Sequence, residues 1–250
     1  MAGRYCGAAK VKIALVSDLH GNMTAVRALE KDLDRRHVDA VWCLGDIVGK
    51  GPNSHMTFDW AIRHCEMILR GNWDEGIGLR QFKRDGFYYR QLGEARMAAL
   101  LNFPLEKRVM LSGRRVRLIH GRPVMDRLYY IQDSRELWLP LLGEDTDLLV
   151  YGDCHRQGMR TLTAQIANIG SVGNAMGVPL VQYAILDGVP GKGSAPLDLV
   201  FVTLPYDREE AVAEALAQPG LPDLDDYIRE LRTGVYSRKK GSFGKKEEVL

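Results

Sequence analysis

The sequence predicts an α/β protein, a four-layer αββα sandwich in which two facing mixed β-sheets lie between outer helices. Short continuous apolar runs alternate with helical stretches in the first third of the chain, a pattern typical of buried parallel strands joined by crossover helices. Further apolar runs follow up to residue 204 and supply a second sheet. A chain of 250 residues can bury one core of this kind, and we expect a single domain over residues 11–232.

The first sheet is expected to start with three aliphatic runs, each followed by a glycine-containing turn. These runs are residues 12–17, 40–44 and 66–70. Val26, Leu29 and Leu33 recur at helical spacing, which predicts a crossover helix over residues 22–36. A second crossover helix is expected over residues 54–65, with Ser54 as its N-cap.

Helices and strands are also expected in the remaining two thirds of the chain. Aromatic and aliphatic residues after Asn72 predict helices, which we interpret as a cap insertion over residues 73–103. Two terminal helices are expected over residues 206–232, while the segments 1–10 and 233–250 lack periodicity and are predicted to be flexible. Seven apolar runs are assigned to the second sheet: residues 108–111, 116–120, 148–151, 159–162, 165–168, 181–186 and 197–204.

Polar residues follow five of the predicted strands, where each strand ends beside a glycine. Ligands of α/β sheets collect beyond the carboxyl ends of the strands, so these side chains are expected to share one crevice. Their carboxylate, carboxamide and imidazole groups suit manganese, iron, zinc or magnesium. The number of such residues exceeds one tetrahedral site and fits two metal ions that share a bridging carboxylate. The candidate ligands are Asp18, His20, Asp46, Asn72, His120, Asp153 and His155.

The order of these motifs resembles that of the calcineurin-like metallophosphoesterases, and within them the small prokaryotic phosphodiesterase subfamily. The motifs are Asp-x-His, Gly-Asp, Gly-Asn, His-Gly and Gly-x-x-His, and the resemblance extends over residues 11–205. Residues 17–22, 44–52, 168–173 and 183–187 carry further parts of it. The resemblance implies a metal-dependent phosphoesterase in which a water or hydroxide between two divalent ions attacks a phosphodiester or phosphomonoester. Mn²⁺ is the expected metal, with Fe, Ni, Zn and Mg as alternatives.

The resemblance also assigns roles to individual residues. Asp18, His20 and His155 would bind the first metal together with Asp46, which would bridge to the second. Asn72, His120 and Asp153 would complete the second site, and Asp46, Asn72 and His120 would be the catalytic residues. Substrate contacts are expected from Asn22, Trp73 and Arg122, and Lys50 also lies in a turn where a phosphate would enter.

Two positions depart from the family pattern. Trp73 stands where the family usually has a histidine thought to protonate the leaving group, and an indole N–H cannot act as a general acid. Asp153 replaces the first histidine of the usual Gly-His-x-His motif, which makes the second site harder and more negative. These departures support an alternative function as a degenerate, protein-binding form of the fold, like that found in membrane-trafficking complexes. The six other ligands are retained, and this favours an enzyme.

Composition limits the partners of the protein. Lys and Arg number 34 against 32 Asp and Glu, which gives no strong signal for nucleic acid or membrane binding. No apolar run approaches the ~20 residues of a membrane helix. The four cysteines have no paired spacing, so we expect a reducing, cytoplasmic location. The expected partner is a small phosphate ester, with nucleotides, phosphoproteins and homo-oligomers left open.

Overall fold

The computed structural model describes residues 9–238, which form two five-stranded sheets flanked by helices. The predicted α/β fold class is thereby confirmed. The elements follow each other as β1 (Val11–Val16), α1 (Met23–Arg36), β2 (Ala40–Cys43), α2 (Ser54–His64), β3 (Met67–Ile68), α3 (Asn72–Gly78), a 3₁₀ turn (Lys83–Asp85), α4 (Gly86–Leu100), β4 (Glu106–Leu111), β5 (Arg114–Ile119), α5 (Arg135–Leu142), β6 (Leu148–Tyr151), β7 (Gly158–Thr161), β8 (Gln165–Asn168), β9 (Val181–Gly188), β10 (Asp198–Leu204), α6 (Arg208–Leu216) and α7 (Leu224–Thr233).

The first sheet has the strand order β10-β9-β1-β2-β3. Strands β1, β2 and β3 are parallel, whereas β9 is antiparallel to β1, with Ile13 opposite Leu186. The assignment of residues 181–186 and 197–204 to the second sheet is therefore wrong. Apolar alternation identifies a strand and its buried face, but the hydrogen-bonded neighbour is set by tertiary pairing.

The second sheet has the order β4-β5-β6-β8-β7. Strands β5, β6 and β8 are parallel, with Val116 opposite Leu148 and Leu148 opposite Gln165. Each sheet therefore has a parallel centre whose strands end at one edge, and these edges carry the motifs described above.

Three apolar clusters fill the spaces between four layers. Ala14 and Val16 of β1 face the helices, while Ile13 and Leu15 face the second sheet, as expected for side chains that alternate along a strand. The third cluster lies on the outer face of the second sheet, where Trp138 of α5 is fully buried. Helix α5 was not predicted, because it is short and contains Pro140.

The N-cap of α2 differs from the prediction, whereas helices α3 and α4 lie where helices were predicted. Asn53, not Ser54, is the N-cap of α2, and the hydroxyl of Ser54 instead accepts a hydrogen bond from the Gly49 N–H at 3.0 Å. Helices α3 and α4 occupy the segment predicted to be helical, and α4 packs on both α2 and α3. Its role as a cap stays a prediction. None of the helices in residues 9–238 is long and apolar enough to cross a bilayer.

The chain makes buried contacts just after α7. Arg238 is 4 % exposed, and its guanidinium lies 3.1 Å from the carboxylate of Asp223 and 3.5 Å from that of Glu230. The hydroxyl of Ser237 donates to the carbonyl of Asp226 at 3.0 Å. Residues 234–238 therefore contact the folded domain, while the flexibility expected of the two termini stays a prediction; residues 1–8 and 239–250 of these termini lie outside the described residues.

Candidate metal centre

Histidine nitrogens and carboxylate oxygens converge beyond the carboxyl ends of four strands, two from each sheet. In a first group, the ligand atoms of Asp18, His20 and His155 lie within 4.8 Å of one another. The Nε2 atom of His155 is 3.1 Å from Oδ1 of Asp18, and the Nε2 atom of His20 is 3.6 Å from the same oxygen. One imidazole comes from the loop after β1 and the other from the loop after β6, so the two sheets build this group together.

A second group adjoins the first and shares Asp18 with it. Its members are Asp18, Asp46 and His120, with ligand atoms again within 4.8 Å. The Oδ2 atom of Asp46 lies 3.4 Å from Nε2 of His120 and 3.5 Å from Nε2 of His20. This carboxylate oxygen therefore lies between the histidines of the two groups, as a bridging ligand requires.

Backbone carbonyls fix the orientation of all three imidazoles. The Nδ1 atoms of His20, His120 and His155 lie 3.1, 2.9 and 2.6 Å from the carbonyl oxygens of Val48, Leu44 and Asn174. An imidazole that donates its Nδ1–H in this way keeps Nε2 as the free acceptor. All three Nε2 atoms are consequently presented to the centre as metal ligands.

Three buried polar atoms at the centre have no hydrogen-bond partner among the described residues. They are Oδ1 of Asp18, Oδ1 of Asn72 and Nε2 of His120. Buried polar atoms are otherwise almost always paired, since an unpaired one costs about 1–3 kcal/mol. These atoms are the donors that the sequence assigned to metal, and their carboxylate, amide and imidazole chemistry fits divalent cations of the manganese, iron and zinc type.

The loops that carry the ligands adopt backbone conformations that are unfavourable for residues with a side chain. Asp18, His20, Asp46 and His155 have φ values of 58, 45, 53 and 57°. A non-glycine residue held there costs on the order of 1 kcal/mol or more, and such residues concentrate at functional sites. The sharp reversal at each position turns the side chain off the end of the strand into the crevice.

The pKa shifts in the centre show that its two carboxylates stabilise positive charge close to them. Burial lowers the pKa of His120, but the charges of Asp46 and Asp18 outweigh burial and raise it to about 10. Burial, aided by the charge of Lys50, lowers the pKa of His20 to about 4. The pKa of Asp18 lies well below its usual range, because the charges of His155 and His120 overcome its desolvation. Without metal, a proton on His120 balances the carboxylates, and a cation would take over that balance.

Asp74 supports the ligand loop and was not predicted to belong to the site. Its carboxylate accepts hydrogen bonds from the N–H groups of Asp46, Ile47 and Gly71 at 2.8, 3.0 and 2.9 Å. Burial and the charge of Asp46 raise the pKa of Asp74 to about 7. An acidic residue in the first turn of a helix was the available sequence signal for such a role.

Asp153 and Arg122 bind each other, and the structure does not bring Asp153 into either ligand group. The guanidinium of Arg122 contacts the carboxylate of Asp153 at 2.7 and 2.9 Å, and the backbone N–H of Arg122 adds a bond of 3.1 Å. The backbone N–H of Asp153 donates to Oδ2 of Asp18 at 3.2 Å. Asp153 thus orients a ligand through its backbone while its side chain holds Arg122.

Lys50 lies deeper in the site than its position in a turn suggested. Its side chain is buried, with Nζ 3.5 Å from Nε2 of His155 and 3.2 Å from the amide oxygen of Asn174. Burial lowers the pKa of Lys50 to about 8, while the charge of Glu230 opposes this shift. The structure therefore places an ammonium group beside the first ligand group.

The two other predicted substrate contacts have defined structural partners. Asn22 is the N-cap of α1, and its side chain accepts from the Ala25 N–H at 3.1 Å and donates to the Gly173 carbonyl at 2.8 Å. The ring of Trp73 lies edge-on to His20 with ring centroids 5.8 Å apart. A Cβ atom on Gly49 would lie 2.3 Å from this ring, so glycine at that position gives the indole its space.

Comparison with known proteins identifies the family. Residues 11–189 match the family model of the calcineurin-like phosphoesterase superfamily domain, and the chain belongs to this superfamily. Its members are in general hydrolases that use divalent metals and act on phosphate esters. The resemblance drawn from the sequence motifs is confirmed.

Individual relatives agree with this assignment. The chain is similar to a metallophosphoesterase from Sphaerobacter thermophilus, with 25% identity and a TM-score of 0.70 over 90% of this chain and 99% of that one. A hypothetical protein from Pyrococcus horikoshii shares the fold, with 18% identity and a TM-score of 0.71 over 91% and 100% of the two chains. An uncharacterized protein of Methanocaldococcus jannaschii is 30% identical over 156 residues, which are 58% of this chain and 60% of the relative.

Proposed function

We propose that the protein is a metal-dependent phosphoesterase that hydrolyses a phosphodiester or phosphomonoester at a dinuclear centre. The observation that carries this proposal is the set of buried, unpartnered ligand atoms of Asp18, Asn72 and His120. A protein that needed only the fold would gain nothing from leaving these atoms unpaired.

In this proposal each residue of the centre has a role. Asp18, His20 and His155 would hold one divalent cation and Asn72 and His120 the other, with Asp46 between them. When bound, two such ions supply an activated water and neutralise charge on the phosphoryl oxygens. We propose Mn²⁺ for both sites, because each combines carboxylate or carboxamide oxygens with imidazole nitrogen, a ligand set that suits this ion.

Two residues of this chain adapt the site to a phosphate ester. The ammonium of Lys50, beside His155, adds a fixed positive charge where a phosphate would bind. Trp73 donates its backbone N–H to Oδ1 of Asp46 at 2.8 Å and so orients the bridging carboxylate. Its indole cannot give a proton to a leaving group, and esters with acidic leaving groups should therefore be the better substrates.

Hydrolysis of nitrophenyl and alkyl phosphate esters tests this proposal. We expect manganese to stimulate hydrolysis of bis(nitrophenyl) phosphate or nitrophenyl phosphate, EDTA to abolish it, and methyl esters to react much more slowly. Trp73→His should narrow the difference between aryl and alkyl esters if the imidazole fits the space beside Gly49. Absence of turnover with manganese, iron, nickel, zinc and magnesium would contradict the proposal and favour a protein-binding role.

A further inference from the structure

A cavity of about 280 Å³ opens beside the second ligand group, between α3 and the 3₁₀ turn. Asn72 is one of its lining residues, and Trp73, Ile77 and Phe82 form apolar walls. We propose that this cavity binds the nucleoside of the substrate, so that the protein acts on nucleotide esters. This inference rests on the proposed phosphoesterase function and specifies its substrate class.

The size and walls of the cavity suit a single flat ring system. Ligand pockets for small molecules span about 300–1,000 Å³, and this cavity of about 280 Å³ lies just below that range, so it is large enough for a small ligand only. Aromatic walls favour planar ligands, and Phe82 is the wall on which the π-face of a base can stack. The guanidinium of Arg84, 5.8 Å from the centroid of the Phe82 ring, gives this wall a positive charge, while the buried Trp73 ring contributes apolar surface. Gly76 forms part of the lining and contributes no side chain, which leaves the space open.

The polar lining suits the edge of a nucleobase. Glu75, Gln81 and Asp85 all line the cavity and offer carboxylate or amide oxygens as acceptors. Asp85 is 3 % exposed, so a hydrogen bond to it would be shielded from water. Ring N–H and exocyclic amino groups of bases are the matching donors, and guanine presents two of them side by side.

The position of Arg122 connects this cavity to the chemistry. Arg122 lines the cavity and also holds Asp153, whose backbone N–H contacts Asp18 of the ligand groups. A ligand with its base against Phe82 would therefore direct its phosphate past Arg122 toward Asn72. The guanidinium of Arg122 is engaged by Asp153, and its positive charge at this junction would attract a phosphate.

Gly76 offers a way to fill the cavity without touching a ligand residue. A Cβ atom at Gly76 would lie 3.3 Å from Oε1 of Gln81 and 3.7 Å from Cε2 of Phe82, so a side chain there points into the cavity. Gly76→Leu should obstruct it and Gly76→Ala should do so only slightly. Gly86→Leu is the matched control, because Gly86 lies at the start of α4 outside the cavity and its Cβ would meet only Arg90, at 3.4 Å.

Binding of guanosine, which carries no phosphate, tests the inference separately from catalysis. We expect calorimetry on EDTA-treated protein to show guanosine binding to the wild type and to Gly86→Leu, about tenfold weaker binding to Gly76→Leu, and no binding of ribose. Thermal melting of each variant shows whether it is folded. If Gly76→Leu does not fold, Phe82→Ala is the second variant, and it should also bind guanosine more weakly than the wild type.

Hydrolysis then connects the cavity to function. With manganese, kcat/KM for a nitrophenyl ester of a nucleoside monophosphate should exceed that for methyl nitrophenyl phosphate, and Gly76→Leu should reduce this preference about tenfold. No hydrolysis of either ester refutes the phosphoesterase proposal itself. Hydrolysis of both without nucleoside preference, no guanosine binding, or a stronger preference for a phosphoserine peptide would overturn the nucleotide inference alone.

Discussion

Replacing Asp46 by asparagine should impair metal binding at the centre, because a hydrogen bond fixes the orientation of the new side chain. In the structure, Oδ1 of Asp46 accepts from the Trp73 N–H at 2.8 Å. Oδ2 lies 3.5 and 3.4 Å from the Nε2 atoms of His20 and His120. An asparagine must keep its oxygen on the Trp73 N–H, so its NH₂ group takes the place of the bridging oxygen. An amide NH₂ cannot bind a cation.

The consequences differ between the metal-free and metal-loaded protein. We expect at least one metal to be lost and the turnover to fall by two orders of magnitude or more, about 2.7 kcal/mol of transition-state stabilisation. A metal present at about 100 times its dissociation constant stabilises the wild type by about 2.7 kcal/mol, and the variant should lack most of this increase. The pKa of His120, which attraction to Asp46 and Asp18 raises to about 10 despite burial, should fall.

Metal content, turnover, thermal melting with and without manganese, and NMR titration of His120 measure these effects. Asp59→Asn is the matched control: Asp59 pairs with Arg96 at 2.8 Å, and its side chain is 43% exposed, so this change should leave metal binding intact. Wild-type metal content and turnover in Asp46→Asn would refute the bridging assignment.

Three further predictions concern residues around the centre. Asp153→Asn should lower the free energy of unfolding by about 1–2 kcal/mol, because the partly exposed guanidinium of Arg122 loses its buried carboxylate partner, yet it should change metal affinity less than tenfold. Calorimetric metal titration decides this, and a larger loss would make Asp153 a ligand. Lys50→Met should tighten the first metal site by removing a like charge while weakening inhibition by inorganic phosphate about tenfold, and unchanged values for both would exclude a role of that charge. Burial raises the pKa of Asp85 from 3.8 to about 6, so its contribution to stability is complete below about pH 4 and is lost as the pH rises through 6. The melting temperature of Asp85→Asn should accordingly be higher than that of the wild type at pH 8 and equal to it at pH 4. A difference in melting temperature that stays the same from pH 4 to pH 8 would contradict the raised pKa of Asp85.

The sequence alone was sufficient to predict the fold class and most of the residues that converge in the crevice; their role as metal ligands stays a prediction. Continuous apolar runs identify buried strands, and a polar residue beside a glycine at a strand end identifies a side chain directed out of the sheet. Asp18, His20, Asp46, His120 and His155 were all found in this way, and the structure brings them into two adjoining groups. These features are local along the chain, which is why a sequence pattern can detect them.

Strand pairing was not available from the sequence. Strand β9 is a continuous buried run and β10 alternates between buried and exposed positions, patterns that strands of either sheet can have, yet both extend the first sheet and not the second. Their burial pattern would be satisfied on either sheet. The choice depends on hydrogen bonds between segments some 170 residues apart, such as that of Ile13 with Leu186, and no local signal encodes such a contact.

The direction of individual charged side chains was likewise decided only by the tertiary structure. Asp153 occupies the position of a family ligand, but Arg122 lies close enough to bind its carboxylate. Lys50 was expected in a turn where a phosphate would enter, and only the structure shows that the surrounding elements bury it beside His155. A charged group takes the nearest partner that offsets its desolvation, and that partner is defined in space and not in sequence. The sequence therefore determines which residue types lie in the centre, and the tertiary structure determines which of them pair with each other.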